Sequence, residues 1–244
     1  MSECNHDCEH CSQQDCEQKD LQVMPNPQSS INKVIGIVSG KGGVGKSSVT
    51  ALLAVQLRRK GYRVGILDAD ITGPSIPKMF NLHTIVNGSE EGVIPAETAS
   101  GIQVISSNLL VHDEKDPIVW RGPLIGGMVK QFWTEVIWKH IDFLLVDMPP
   151  GTGDVPLTVF QSMAINGILM VTSPQDLVSL IVSKAVNMAS MMKIPVLGLI
   201  ENYSYAKCPH CGEKINIFGE SHAADVAKEF DLKLLDQIPL VPDL

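Results

Sequence analysis

The chain has 244 residues, of which 44% are hydrophobic, and a formal net charge of −8 at pH 7. This length and apolar content suit one α/β domain with appendages, while the negative charge argues against nucleic acid or anionic lipid as a primary partner. The sequence contains no apolar run long enough to cross a bilayer and its acidic N-terminus is unlike a secretory signal, so we expect a cytoplasmic protein without membrane partners.

The first predicted region is a polar tail over residues 1–31, whose composition buries too little apolar surface to fold alone. It carries four of the six cysteines, Cys4, Cys8, Cys11 and Cys16. In a reducing compartment such a cluster favours metal binding over disulfides. Four thiolates are enough for a [4Fe–4S] cluster, and zinc, with His6 or His10 replacing one thiolate, stays open as the alternative. We therefore predict a flexible, ligand-bearing tail.

From residue 32 to 244, short runs of Val, Ile and Leu alternate with helical segments, as parallel strands covered on both faces do. Strands are predicted at 33–39, 63–68, 102–106, 143–147, 167–172 and 196–200. Helices are predicted from the KSS of the first loop to Lys60, and at about 124–139, 156–164, 176–192 and 219–230. This alternation predicts a doubly wound, mostly parallel α/β sheet with helices on both faces. Only the segment from about 203 to 218 breaks it, which indicates an inserted loop.

The strongest signal is the glycine-rich loop after the first strand, GKGGVGKSS at 40–48. A phosphate-binding loop needs this strand–loop–helix context, because its backbone N–H groups turn toward the phosphates at a helix N-terminus. Lys46 is expected to reach the β- and γ-phosphates, and Ser47 to offer a hydroxyl to Mg²⁺. The predicted nucleotide-binding residues are Gly40, Lys41, Gly42, Gly43, Val44, Gly45, Lys46, Ser47 and Ser48. ATP or GTP is therefore the expected ligand.

Two acidic motifs end later strands, ILDADITGPS at 66–75 and LLVDMPPGTGD at 144–154. The carboxyl ends of parallel strands are where nucleotides bind in open α/β sheets. We predict that Asp147 holds Mg²⁺ through water and that Asp68 orders the loop that follows it. Capping of the next helix is the alternative role for such strand-end acids.

Lys41 is a second lysine that the general phosphate-binding motif does not require. With it, G-K-G-G-x-G-K-S resembles the deviant Walker A motif of the MinD, ParA and Mrp group of ATPases. The resemblance implies that Lys41 crosses to the nucleotide of a facing subunit in a homodimer, and that Asp70 orients the attacking water. It also implies ATP, with Asn202 as the suspected adenine contact. A solvated lysine and a buried structural amide are the alternatives for Lys41 and Asn202.

Further motifs narrow the resemblance to the Mrp-type, or ApbC-type, iron–sulfur carriers. They are VWRGPL at 119–124, FLLVDMPPGTGD at 143–154, VTSPQD at 171–176 and ENYSYAKCPHCG at 201–212. In this order, they are similar to that family over residues 33–240. One departure is Tyr203, where the family usually has methionine. The resemblance implies an ATP-dependent carrier with slow, regulatory hydrolysis that passes an iron–sulfur cluster to apoproteins.

The remaining cysteines, Cys208 and Cys211, form a single C-x-x-C pair, which fills only half of a tetrahedral site. C-P-x-C-G is also half of a common zinc knuckle, so the spacing alone favours structural zinc. Two subunits facing each other over ATP would bring together four thiolates, enough for one [4Fe–4S] cluster or one zinc ion. The resemblance implies the cluster.

Two other functions compete with the carrier. A ParA- or MinD-like ATPase for spatial organisation, with the C-x-x-C pair as a structural zinc site, needs a basic surface or an amphipathic membrane tail, and neither is visible. A nitrogenase-reductase-like electron donor also bridges a cluster between subunits, but its cysteines lie far apart in sequence. The carrier is therefore the favoured function.

Overall fold

The computed structural model describes residues 22–71, 73–86, 88–110, 122–151, 153–175 and 178–241. Its strands are β1 Ile31–Ser39, β2 Val64–Asp68, β3 Gly88–Ser89, β4 Gly92–Val93, β5 Ala96–Glu97, β6 Gln103–Ile105, β7 Ile141–Asp147, β8 Gly167–Thr172, β9 Val196–Glu201, β10 Ala206–Lys207, β11 Lys214–Ile215 and β12 Leu234–Gln237. Its helices are α1 Lys46–Arg59, α2 Ile76–Met79, α3 Gly122–Glu135, α4 Asp154–Ser162, α5 Val178–Met191 and α6 Ala223–Glu229. A 3-10 turn covers Ser107–Leu109.

The central sheet has eight strands in the order β12-β9-β8-β1-β7-β2-β6-β5. All neighbours pair in parallel except β5, which runs antiparallel to β6. Every residue of β2 and β8 is buried, because helices cover both faces of the sheet. This architecture confirms the predicted doubly wound, mostly parallel α/β fold.

The parallel arrangement decides where the functional residues lie. The glycine-rich loop follows β1, Asp68 ends β2, Asp147 ends β7 and Glu201 ends β9. Since parallel strands point the same way, these four strand ends share one edge of the sheet. Within the described residues, no helix is both long and apolar enough to cross a membrane.

Several boundaries differ from the predicted ones. Helix α3 ends at Glu135 rather than near 139, because Val136 bridges Val93 and the next residue bonds to the carbonyl of Val93. Helix α6 begins at Ala223 rather than 219, since Gly219 adopts a left-handed φ of 90°. The first two residues of the helix predicted at 176–192 lie outside the described residues.

The described end of the predicted tail is attached to the domain, which corrects its assignment as flexible up to residue 31. Val23 N bonds to the carbonyl of Ser162 at the end of α4, and Trp133 Nε1 of α3 donates to Val23 O at 2.6 Å. Asn26 is buried and donates to the carbonyls of Glu91 and Glu135. The segment 22–30 thus joins two helices to the sheet through buried polar groups, a role that its polar composition does not reveal.

We expect removal of residues 1–21 to leave the free energy of unfolding nearly unchanged, because the hydrogen bonds of Val23, Asn26 and Ser29 to the domain are retained. Removal of residues 1–30 should lower it by about 2–4 kcal/mol, since buried carbonyls and the Trp133 indole lose their partners. Urea unfolding followed by circular dichroism measures both chains. Equal unfolding midpoints would show that the segment contributes nothing.

Candidate nucleotide and thiolate sites

The glycine-rich loop is packed tightly against the residues that follow β9. Gly45 has a left-handed φ of 73° and directly precedes α1. A Cβ atom there would overlap the amide nitrogen of Asn202 and lie 2.6 Å from Tyr203 Oη, so only glycine fits. Asn202 Nδ2 donates a hydrogen bond to the carbonyl of Val44 at 3.0 Å, and this bond fixes the loop to the residues after β9. The sequence pattern identified the loop but not these contacts.

Lys46 and Asp147 form a buried ion pair at the N-terminus of α1. Lys46 Nζ lies 2.7 Å from Asp147 Oδ1, and their side chains are 6% and 0% exposed. Ser47 Oγ donates to Asp147 Oδ2 at 2.5 Å. These distances bring the three predicted residues together at one point. A hydroxyl and a carboxylate side by side are the oxygen ligands that Mg²⁺ prefers beside a nucleotide.

Thr50 is a further member of this cluster that the motifs did not identify. Its hydroxyl donates to Asp147 Oδ1 at 2.7 Å and is fully buried. Thr50 lies one helical turn after Lys46, so the two side chains share a face of α1. The sequence carries no signal for this contact, because it depends on the packing of α1 against the end of β7.

Asp68 lies beside Asp147, its register partner across β2 and β7. Its carboxyl group is hydrogen-bonded to Asp70 N at 3.2 Å and to Ser106 Oγ at 3.1 Å, which fits a role in ordering the loop after β2. Burial, followed by the negative charge of Asp147, raises the pKa of Asp68 from 3.8 to about 8, although Lys46 opposes the shift. Asp68 is therefore protonated at neutral pH.

Two adjoining cavities open beside the loop. The first, of about 300 Å³, is lined by residues 41–48 together with Asp70, Pro150 and Tyr203. It therefore brings Lys41 and Lys46, the two lysines of the motif, to the same space as Asp70. Backbone N–H groups and cations suit this cavity to phosphates.

The second cavity, of about 550 Å³, is mainly apolar and lies between α1 and the segment that follows β12. Leu52, Val55, Phe80 and Asn202 are among its lining residues. Ser48, Met79 and Tyr203 line both cavities, so the two adjoin. An apolar space with one amide suits a nucleotide base. Asn202 is a buried amide bonded to the loop, and it also lines this cavity, so its contact with adenine stays a prediction.

The cysteine pair lies in a small exposed hairpin formed by β10 and β11, inside the predicted insert. Cys208 N bonds to the carbonyl of Glu213, and Gly212 N returns to the carbonyl of Cys208. Backbone N–H groups of Cys211 and then His210 lower the pKa of Cys208 below the ordinary thiol value of 9.0, as does the Cys211 thiol. The turn thus favours the thiolate, the form that binds metal.

Each chain offers only this pair within the part that the structure describes. No group of three or more His, Cys, Asp or Glu side chains that could hold a metal ion occurs among the described residues. His210 is exposed beside the two cysteines. The four N-terminal cysteines, Cys4, Cys8, Cys11 and Cys16, lie outside the described residues.

Comparisons with known proteins agree with this geometry. Residues 30–244 match the family described as NUBPL iron-transfer P-loop NTPase, of the ParA group. The iron-sulfur cluster carrier protein of Clostridium perfringens is 46% identical over 223 residues, which cover 88% of this chain and 78% of that protein. A nucleotide-binding protein from Archaeoglobus fulgidus, solved in complex with ADP and with cobalt found by PIXE, is 45% identical with a TM-score of 0.78, covering 87% of this chain and 84% of the other. The cell-division ATPase MinD of Pyrococcus furiosus, at 22% identity and a TM-score of 0.59 over 86% and 84% of the two chains, shares the fold.

The raised pKa of Asp68 predicts a pH dependence of stability. The folded protein keeps a proton that the unfolded chain releases, so this stability is full below pH 3.8 and is lost as pH rises toward about 8. We expect Asp68→Asn to flatten this decline between pH 5 and 8 in nucleotide-free protein with EDTA. Urea unfolding across that range measures it.

Asp142→Asn is the matched control, because hydrogen bonding to Arg63 N, its largest influence, lowers the pKa of Asp142. Its contribution is present above pH 3.8 and is lost only in acid, so the control should leave the slope between pH 5 and 8 unchanged. A wild-type slope in the Asp68 variant would mean that Asp68 is ionised in the folded protein.

Proposed function

This chain belongs to the NUBPL iron-transfer P-loop NTPase family, and on that premise we propose that it is an ATP-dependent carrier that binds an iron–sulfur cluster and transfers it to apoproteins. The observation that carries the proposal is a juxtaposition. The loop with the cysteine pair begins at Tyr203, a residue that lines both cavities beside the phosphate-binding loop. A site for cargo and a site for nucleotide are therefore connected by a few residues of chain.

ATP is expected to place its phosphates in the smaller cavity and its adenine in the larger one. Lys46 then moves away from Asp147 toward the β- and γ-phosphates. The negative charge of the phosphates replaces that of Asp147 as the partner of the Lys46 ammonium group. Ser47 and Asp147 are the residues that would hold Mg²⁺, the latter through water. A Mg²⁺ ion held by these residues would supply positive charge to the phosphate oxygens.

Hydrolysis in this proposal depends on Asp70 and Lys41. Asp70 lines the phosphate cavity, where it is suited to orient the attacking water. Lys41 is exposed on the same loop, and we propose that it reaches the nucleotide of a second copy of the chain. A site that is complete only when another subunit supplies a residue hydrolyses ATP slowly. Slow hydrolysis suits a regulatory ATPase better than a fast enzyme.

The cargo site requires the same homodimer. One chain supplies the thiols of Cys208 and Cys211, and a [4Fe–4S] cluster takes four. Ile215, Ile217 and Phe218 are 48%, 51% and 37% exposed beside the pair, so a partner surface would bury apolar area around the cluster. Zinc held by the same four thiolates is the competing ligand.

The N-terminal cysteines, at positions 4, 8, 11 and 16, form the second part of the proposal. We propose that they bind a separate cluster, or zinc, on a segment that precedes the attached residues 22–30. The six cysteines and the predominance of acidic residues suit a cytoplasmic carrier whose partners are proteins. Spatial organisation is not adopted as the function, because the likeness to MinD shows the fold alone.

Asp70→Asn should bind ATP with little change in affinity and lose hydrolysis by about 100-fold, because the phosphate cradle remains while the attacking water loses its acceptor. Lys46→Ala is the opposite case and should lose ATP binding itself. Single-turnover hydrolysis and calorimetric titration separate the two effects. Wild-type turnover in the Asp70 variant would transfer the role to another group.

Replacing both Cys208 and Cys211 by alanine should remove one whole metal centre per dimer, since each chain supplies half of the ligands. Dimerisation that depends on metal should be lost with it, while ATP binding is retained. Iron and sulfide counted per dimer after anaerobic reconstitution, with sedimentation for the oligomeric state, give the result.

The matched control replaces Cys4, Cys8, Cys11 and Cys16 by serine and should leave the bridging centre in place. Loss of one metal per monomer in the Cys208 and Cys211 variant, or recovery of zinc alone after anaerobic preparation, would contradict the shared cluster. The pair would then be a zinc knuckle completed within its own chain.

A further inference from the structure

Glu201 is the last residue of β9, and its side chain is fully buried. Its carboxylate accepts hydrogen bonds from three neutral groups, Ser204 Oγ at 2.5 Å, Ser221 Oγ at 2.8 Å and Gln237 Nε2 at 2.9 Å. A carboxylate is stable in such a place only when donors replace the water it has lost. The three donors are therefore held firmly to one point.

These donors come from both ends of the cysteine-bearing insert and from the neighbouring edge strand. Ser204 precedes the hairpin β10–β11 and Ser221 follows it. Gln237 belongs to β12 and also donates to Ser221 Oγ at 3.0 Å, which closes the network. The hairpin with the cysteine pair thus extends from a base whose two ends are bound to one buried carboxylate.

The two residues after Glu201 contact the nucleotide loop. Asn202 donates to the Val44 carbonyl, and Tyr203 lines both cavities. Tyr203 has a left-handed φ of 58°, a conformation that is costly for a residue with a side chain and persists only where its surroundings impose it. Its neighbours on each side, Asn202 and Ser204, are both held by hydrogen bonds, so the chain at Tyr203 cannot relax independently of them.

We propose that Glu201 is a positioning residue that couples nucleotide occupancy to the thiolate pair. Filling of the cavities displaces the Tyr203 ring or fixes it, and Ser204, the next residue, passes that change to the carboxylate. Because the same carboxylate holds Ser221, both ends of the insert respond together. This inference rests on the proposed function, since it gives the physical link between ATP and cargo.

The test measures how nucleotide alters release of Co²⁺ from the pair. Full-length protein with Cys4, Cys8, Cys11 and Cys16 replaced by serine is loaded with Co²⁺, and transfer to EDTA is followed by the thiolate-to-cobalt absorption, with and without a non-hydrolysable ATP analogue. We expect the analogue to change the release rate by about fivefold or more in this background. With Glu201→Gln the change should fall below about twofold, while the affinities for analogue and Co²⁺ measured separately shift by less than about threefold.

Glu229→Gln is the matched control, because Glu229 also accepts a serine hydrogen bond, from Ser179 at 3.2 Å, but in an exposed position outside the insert. It should keep the full effect of the analogue. Full coupling in Glu201→Gln overturns the inference and leaves the proposed function standing. Release that is insensitive to nucleotide in the unmodified background overturns both.

Ser221→Ala and Ser221→Thr keep the test decisive if the glutamine variant does not fold. The alanine variant frees one end of the insert. In it the analogue should change the Co²⁺ release rate by more than about twofold but by less than in the background protein. Threonine keeps the hydroxyl and should restore the full change. A purely structural role for the network would lower stability in the alanine variant without changing the nucleotide dependence, and that result would also overturn the inference.

Discussion

The charge of Asp147 is the constraint on which the site is built. This carboxylate is fully buried at the end of a central strand, and removing such a charge from water costs several kcal/mol unless partners compensate it. Lys46, Ser47 and Thr50 supply that compensation, and all three belong to the first turns of α1. Folding of the sheet therefore fixes the start of the helix, and the helix fixes the phosphate-binding loop in front of it.

The same ion pair defines what nucleotide binding must do. Lys46 cannot reach toward a γ-phosphate without weakening its contact with Asp147, so another cation has to approach that carboxylate. In the proposed function Mg²⁺ bound with the nucleotide would be that cation, because Ser47 already brings a hydroxyl oxygen to the same place. Asp68, kept protonated by burial and by its neighbour, limits the negative charge while no metal is present. Under the proposed function, Lys46 thus compensates the charge of Asp147 before nucleotide binds, and Mg²⁺ would do so afterwards.

The sequence predicted those parts of the site that depend on local chain geometry. A strand, a glycine-rich turn and a helix in register specify the phosphate loop, and an acid at a strand end specifies Asp147. The contacts of Thr50, Tyr203 and Glu201 depend on which distant segments pack together, and no short motif records that. The segment 22–30 is a similar case, since its polar residues satisfy buried carbonyls instead of facing water. Composition alone cannot distinguish these two uses of a polar side chain.

The two chemistries of this fold have opposite requirements, and the end of β9 reconciles them. Phosphate chemistry needs excluded water and fixed charges, which the buried pair at Asp147 provides. In the proposed function, cluster transfer needs thiolates that an acceptor can reach. In the hairpin Cys211 is exposed and Cys208 partly exposed, and backbone N–H groups lower the pKa of Cys208. Thiolates buried in a rigid core could not be reached by an acceptor protein. Thiolates on a loop without contacts to the core would not respond to nucleotide binding. Three consecutive residues, Glu201 to Tyr203, belong to both, because the first is buried in the sheet and the last lines the nucleotide cavities.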